Sequence, residues 1–298
     1  MAKVVWIASY PRSGNTWLRF LLASLIRREA IANSAQVQAL IPDIHEGVAG
    51  IHLWGKRTTL IKTHWAFSPD LPLREDTAGV IQLVRHPIDT LESNQNYAMN
   101  RAGERHERAT PEERARHAAE FADNFIRDGG HRQFAQFGIG ALEQHILSWS
   151  SSTLTFPRLV VRYEDLKADP AGELARICHF IRMRRSGEEI ADAIDRAAAA
   201  RMRQLEDAEI AGKVEGLFYQ IRNRSSLESG HRFVGRSSSG ETKYRLSDLQ
   251  RERAGSKFAD LICLLGYQTG RKPAGGGSPA VRTIPRSPDR WCAGGNSP

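Results

Sequence analysis

The chain is short of the devices that staple or anchor a protein. Its three cysteines, Cys178, Cys263 and Cys292, lie far apart, with no C-x-x-C pair and no neighbouring histidine cluster. An odd, dispersed set of thiols excludes a disulfide framework and a zinc site of ordinary ligand spacing, and no metal is expected. Long apolar stretches are missing too: the longest cover residues 4–8 and 20–26, with Arg19, Arg27 and Arg28 flanking the second. A bilayer-crossing helix needs roughly 20 apolar residues, so no membrane span is expected. Nor does Met1-Ala2-Lys3 open onto the apolar core and small-residue cleavage site of a secretory leader, and the expectation is a cytoplasmic protein.

What is present is globular composition, 41% hydrophobic and 26% charged over 298 residues. One domain of that size buries a large core without covalent help. The net charge of +8 is unevenly placed, because residues 271–298 hold Arg271, Lys272, Arg282, Arg286 and Arg290 against Asp289 alone. Five Gly and five Pro in the same segment leave too little apolar surface to offset its ordering entropy. It reads as a disordered basic tail, 271–298, behind a folded domain at 1–270. Nucleic-acid binding calls for basic residues interleaved with aromatics, and Trp291 is the tail's only aromatic, so no nucleic-acid partner is expected.

Apolar and β-branched runs at 4–8, 58–63, 79–85 and 158–162 read as strands. Helix-period segments lie between them. Residues 16–28 put Trp17, Leu18, Leu21, Leu22 and Leu25 on one face, and Pro87 suits the first position of a helix running through 88–96. A charged, mobile loop from Arg101 precedes a further helix near 111–127. The alternation predicts an α/β fold, a single P-loop-NTPase-like domain with a central parallel sheet flanked by helices.

Between the first strand and the first long helix stands Tyr10-Pro11-Arg12-Ser13-Gly14-Asn15-Thr16-Trp17. Gly14 admits backbone conformations that other residues avoid, so the loop's N–H groups and the helix N-terminus can converge on an oxyanion. Asn15 stands where a triphosphate-binding loop carries lysine, so the loop is not built for ATP hydrolysis. Other strand ends also carry polar groups: Lys62-Thr63-His64, Arg85 and Tyr163-Glu164-Asp165. Ligands of doubly wound sheets bind beyond the carboxyl ends of strands, which places these residues and Arg12 around one crevice. Arg85 and Ser93 bracket a helix start and make a second anion site, so the ligand bears two phosphates. Lys62 and His64 project to one side of an extended strand. A neutral imidazole there can deprotonate a hydroxyl while the ammonium offsets charge on a leaving group.

The loop from Tyr10 to Trp17, then Lys62-Thr63-His64, then Arg85 followed eight residues on by Ser93, resemble in order the signatures of the sulfotransferase family that uses 3′-phosphoadenosine 5′-phosphosulfate (PAPS). The resemblance covers roughly residues 4–267. Trp6-Ile7-Ala8-Ser9-Tyr10-Pro11 and Tyr163-Glu164-Asp165-Leu166-Lys167 are most similar to bacterial enzymes that sulfate glycopeptide antibiotics. The resemblance implies that Arg12, Ser13, Gly14, Asn15, Thr16 and Trp17 hold the 5′-phosphosulfate, with Trp17 also against adenine. Arg85 and Ser93 then grip the 3′-phosphate, Tyr163 contacts adenine, and His64, Lys62 and Arg12 are catalytic. It further implies a small-molecule hydroxyl acceptor, PAP (3′-phosphoadenosine 5′-phosphate) as product, and a homodimer whose segment is half kept as Lys243 and Glu252.

Departures from the family pattern are specific. Arg12 replaces the usual lysine, which keeps charge but removes a proton donor. Residues 235–243 keep Arg236, Gly240 and Lys243 of the loop that binds the 3′-phosphate in relatives, with Arg232 as a candidate recruit. Ala197 to Ala200 replace a hydroxyl-bearing stretch that touches adenine. Trp65 and Phe67 are expected to floor an aromatic acceptor pocket, and residues 95–140, with Glu104 and His106, to form a lid over it. Two rival readings are a kinase of the same fold, which lacks its loop lysine here, and a non-catalytic binder, which needs Arg85 and Ser93 but not His64.

Overall fold

The computed structural model describes residues 3–47, 51, 58–101, 109–151, 153–220, 227, 232–234 and 244–268. Four strands, β1 (Lys3–Ser9), β2 (Thr58–Thr63), β3 (Thr77–Val84) and β4 (Arg158–Arg162), pair in parallel in the order β2-β1-β3-β4. The α/β architecture with a central parallel sheet is the one expected. β2 and β4 begin and end where the β-branched runs do. β3 starts two residues before the expected run and stops at Val84, which leaves Arg85 in the connection beyond the sheet.

Side chains alternate across β1, and each set meets a different layer. Val5 and Ile7 pack with Leu18, Leu21, Leu22 and Leu25 of α1 (Asn15–Arg27). Val4, Trp6 and Ala8 pack with Ile61, Val80 and Trp149 on the other side. Both buried indoles there find acceptors: Trp6 Nε1 donates to Thr77 Oγ1 at 2.9 Å and Trp149 Nε1 to the Trp65 carbonyl at 2.9 Å. Burying both faces explains why β1 reads as one continuous apolar run rather than an alternating one.

Around the sheet lie α2 (Ser34–Leu40), α3 (Pro87–Arg101), α4 (Pro111–Asp128), α5 (Arg132–Gln136), α6 (Leu142–Ser148) and α7 (Tyr163–Ala168). They are followed by α8 (Pro170–Phe180), α9 (Gly187–Arg196), α10 (Ala199–Gly212), α11 (Asp248–Lys257) and α12 (Ala259–Leu264). A third apolar cluster joins Tyr10 and Leu91 to Phe125 and Ile126 of α4 and to Phe258, Leu261 and Ile262. Among the described residues, no helix is long and apolar enough to cross a membrane. The charged stretch 102–108, the loop residues 235–243 and the tail 271–298 lie outside the described residues, as do Glu104, His106 and Arg236.

Candidate active site

Beyond β1 the chain enters a tight loop whose first three carbonyls are all engaged. The Ser13 N–H donates to the Tyr10 carbonyl (3.3 Å), Asn94 Nδ2 to the Pro11 carbonyl (3.2 Å) and the Arg85 guanidinium to the Arg12 carbonyl (3.2 Å). Arg12 (φ 73°) and Gly14 (φ 96°) both adopt left-handed backbone. For a residue with a Cβ this costs about 1–2 kcal/mol, a strain that persists where surrounding bonds enforce it. Helix α1 then begins with no side-chain cap and no acidic residue in its first turn. By contrast, α4, α9 and α11 open with capping boxes built on Thr110, Ser186 and Ser247. The first N–H groups of α1 and the positive end of its dipole are therefore left for an anion.

Gly14 has a second constraint, because a Cβ there would lie 2.4 Å from Cδ2 of Tyr163. Tyr163 stands edge-on to Trp17 with ring centres 6.1 Å apart, and the Arg85 guanidinium sits 4.9 Å from its ring centre. Trp17 is pinned by Nε1 donating to the Ala197 carbonyl at 3.2 Å. The Arg12 guanidinium lies 4.7 Å from the Tyr97 ring centre. Among the described residues neither Arg12 nor Arg85 has a carboxylate within ion-pair distance, and Nε of each is buried without a hydrogen-bond partner. Burial lowers the Arg12 guanidinium from its usual value, and Arg85 adds to that against the opposing pull of Tyr97. Adjacent guanidinium groups with no counter-ion form a strong site for an oxyanion.

The β2 flank is built differently. Lys62, at the end of β2, is 7% exposed and donates from Nζ to Asp43 Oδ2 at 2.7 Å. Asp43 also caps the turn Ile44–Glu46 by accepting from the His45 N–H at 3.0 Å, and its backbone bridges to Lys62 at the sheet edge. Burial alone would raise the Asp43 carboxyl; Lys62 beside it reverses the sign and brings it down to about 2. Lys62 is itself pulled down to about 8 by burial, with Asp43 resisting. Nδ1 of His64 lies 2.7 Å from the Ser9 carbonyl oxygen, which can only accept, so Nδ1 carries the proton and Nε2 keeps its lone pair. The His64 N–H donates to His45 Nε2 at 2.9 Å. Burial and then Lys62 push the His64 imidazole well below its usual value, so it is neutral around pH 7.

Both flanks open on one cavity of about 1120 Å³. Arg12, Gly14, Asn15, Thr16, Trp17, Lys62, His64, Arg85, Ser93 and Tyr163 line it, a set the sequence had assembled. Other expectations need correction. Ser13 is buried, and Asn15 turns its Nδ2 back onto Ser9 Oγ (3.0 Å), where it braces the end of β1. Thr63 is buried and accepts from the Trp65 N–H. Glu164 accepts from the His86 N–H at 3.0 Å and from the Tyr267 hydroxyl at 2.5 Å, while Asp165 pairs with Arg162 at 2.7 Å; of the three residues after β4 only Tyr163 reaches the cavity. Phe67 packs on Trp149 and Phe156 in the core below the sheet, so the aromatic floor is not formed by it. From the lid region, Tyr97, Phe134 and Ile139 line the cavity. Asp43, His45 and Arg19 were not foreseen. The one local hint was a polar Asp and His bracketing Ile44 just after Pro42, a turn signal with no visible tie to β2.

Known proteins resemble this chain in sequence and in fold. Rat sulfotransferase 1A1 is 28% identical over 186 residues, covering 59% of this chain and 58% of the relative. Flavonol 3-sulfotransferase of Flaveria bidentis is 26% identical over 189 residues, covering 59% and 56%. The chain thus spans a little over half the length of these curated relatives. Among solved structures, a mouse sulfotransferase complexed with PAP superposes with a TM-score of 0.55 at 19% identity, covering 88% of this chain and 84% of that one. A retinol dehydratase bound to androsterone and the inactive cofactor PAP gives 0.56 at 16% identity, covering 91% and 82%. At such identities the likeness speaks for the fold. The sequence pattern of the sulfotransferase domain matches residues 2–255, and the chain belongs to that family.

Proposed function

We propose that this protein transfers a sulfuryl group from PAPS to a hydroxyl of a small-molecule acceptor, with Nε2 of His64 as general base. The observation that carries the reading is the bond from His64 Nδ1 to the Ser9 carbonyl, which leaves Nε2 as an unprotonated acceptor on a side chain that lines the cavity. The acceptor O–H proton passes to Nε2 as its oxygen bonds to sulfur. The bond from sulfur to the 5′-phosphate oxygen breaks, and its electron pair leaves with PAP. Arg12, Lys62 and the uncapped start of α1 are placed to stabilise that charge. Arg12 does so without giving up a proton, since a guanidinium does not deprotonate in this range. Arg85 with Ser93 is assigned to the 3′-phosphate, and Trp17 and Tyr163 to the adenine.

Cavity size supports a two-substrate site: about 1120 Å³ exceeds the roughly 300–1,000 Å³ of a typical single-ligand pocket. The working domain is assigned to residues 1–270. The Trp6-to-Pro11 and Tyr163-to-Lys167 segments favour a natural-product acceptor of the kind sulfated in antibiotic biosynthesis, phenolic or sugar in character. Calorimetry with PAP, and a screen of radiolabelled donor against phenols, glycosides and glycopeptides, test the proposal together. Binding of PAP that Arg85→Ala weakens, with label transferred to one acceptor class and lost in His64→Ala, is the expected result. Absence of PAP binding overturns it.

A further inference from the structure

Helix α10 carries two buried acids, Glu206 and Glu209, 1% and 3% exposed, on one side three residues apart. Neither reaches into the cavity, and each is spent on backbone. Oε1 of Glu206 accepts from the Phe233 N–H at 2.5 Å and Oε2 from the Val234 N–H at 2.9 Å. Glu209 accepts from the Ser34 hydroxyl at 2.7 Å, and Ser34 Oγ in turn accepts from the Leu217 N–H at 2.6 Å. The segments so held, with Leu217, Phe218, Phe233 and Val234, line the cavity together with Ala199 and Met202 from α10 itself.

The Glu206 arrangement is costly. An ionised carboxylate taken out of water needs every lone pair met, and burial raises this carboxyl even though two amides and Arg232 oppose the rise. Consecutive amides on a cavity wall could instead face water, or be capped by a neutral hydroxyl. What a carboxylate does that those cannot is present two acceptors in a fixed fork, locking two adjacent peptide planes at once. The wall made by Phe233 and Val234 is thereby held to a single setting.

Resting on the donor reading above, we propose that Glu206 is a positioning residue for nucleotide binding: its carboxylate fork fixes Phe233 and Val234 as a preformed wall of the donor cavity. Glu206→Gln is nearly isosteric but leaves one acceptor and turns an NH2 donor against an amide donor, so the fork is broken. Calorimetry with PAP is expected to show a dissociation constant raised at least tenfold in Glu206→Gln, with the donor KM rising in parallel. The acceptor KM and kcat at saturating donor stay within twofold, a split that simple loss of folded protein does not produce. If the unsubstituted protein fails to bind PAP, the donor reading falls and this inference with it. If it binds and Glu206→Gln binds equally well, the inference alone is overturned. Should Glu206→Gln not fold, hydrogen exchange on the unsubstituted protein decides the question. Slow exchange at the Phe233 and Val234 amides, slowed further by PAP, supports the fork, and exchange at the rate of exposed amides overturns it.

Discussion

The two flanks of the cavity handle positive charge in opposite ways. On the β3 side, Arg12 and Arg85 meet aromatic rings and a backbone carbonyl but no carboxylate among the described residues. On the β2 side, Lys62 is held by Asp43 at 2.7 Å. A cation without a counter-ion gains most when an anion arrives, and so acts in binding. A cation already paired gains little on binding but is oriented, kept protonated in a dry site, and able to tune its neighbours. Under the proposed reaction the crevice divides its labour: the arginine flank is assigned to the nucleotide, and the Asp43–Lys62–His64 flank to the chemistry.

Removing the base tests that division most severely. His64→Ala is expected to lower kcat by about 10²–10⁴-fold, the range for a general base, while PAP affinity measured by calorimetry stays within about threefold. A parallel loss of PAP binding would mean the flanks are not separate. Next in size, Arg85→Ala deletes a guanidinium that a phosphate would engage by charge-assisted bonds worth about 1.5–3 kcal/mol, so the PAP dissociation constant should rise about 10- to 150-fold with the pH profile unchanged.

Asp43→Asn sharpens the comparison through pH. In the unsubstituted protein the base is neutral far into the acid range, since the His64 imidazole is depressed well below its usual value; the acid limb of kcat against pH should therefore fall well under pH 6.5. The alkaline limb should follow loss of the Lys62 proton near pH 8. Asp43 holds the Lys62 value up, so Asp43→Asn should move the alkaline limb to lower pH and cut kcat about tenfold, with PAP affinity little changed. An unmoved alkaline limb would show that Lys62 does not set it. The smallest effect is expected from Arg12→Lys, which keeps charge but gives up contact with the Tyr97 ring and the planar fork. A contact of this kind is worth about 0.5–1 kcal/mol, or a two- to fivefold weaker PAP affinity.

Much of this was legible locally. β2 and β4 could be delimited because β-branched runs end at turn-forming or charged residues, and the phosphate loop because Arg12 to Trp17 are contiguous and lead directly from strand to helix. The pairing of Lys62 with His64 followed from the two-residue repeat of a strand. The errors share a cause. Glu164 and Asp165 share Tyr163's stretch of sequence, yet α7 begins at Tyr163, and a helix sends successive side chains in different directions. Trp65 and Phe67 follow the reactive pair in sequence, but Phe67 is claimed by Trp149 and Phe156.

What the amino-acid order determined by itself was the alternation of strand and helix, the glycine loop and the polar end of β2, because each depends on neighbours only a few residues away. Tertiary structure alone decided which charges are paired. Asp43 reaches Lys62 through a bridge at the edge of β2, and Glu206 reaches Phe233 across 27 residues of chain. The energy of a buried charge depends on what surrounds it in space, and no repeat along the chain encodes that.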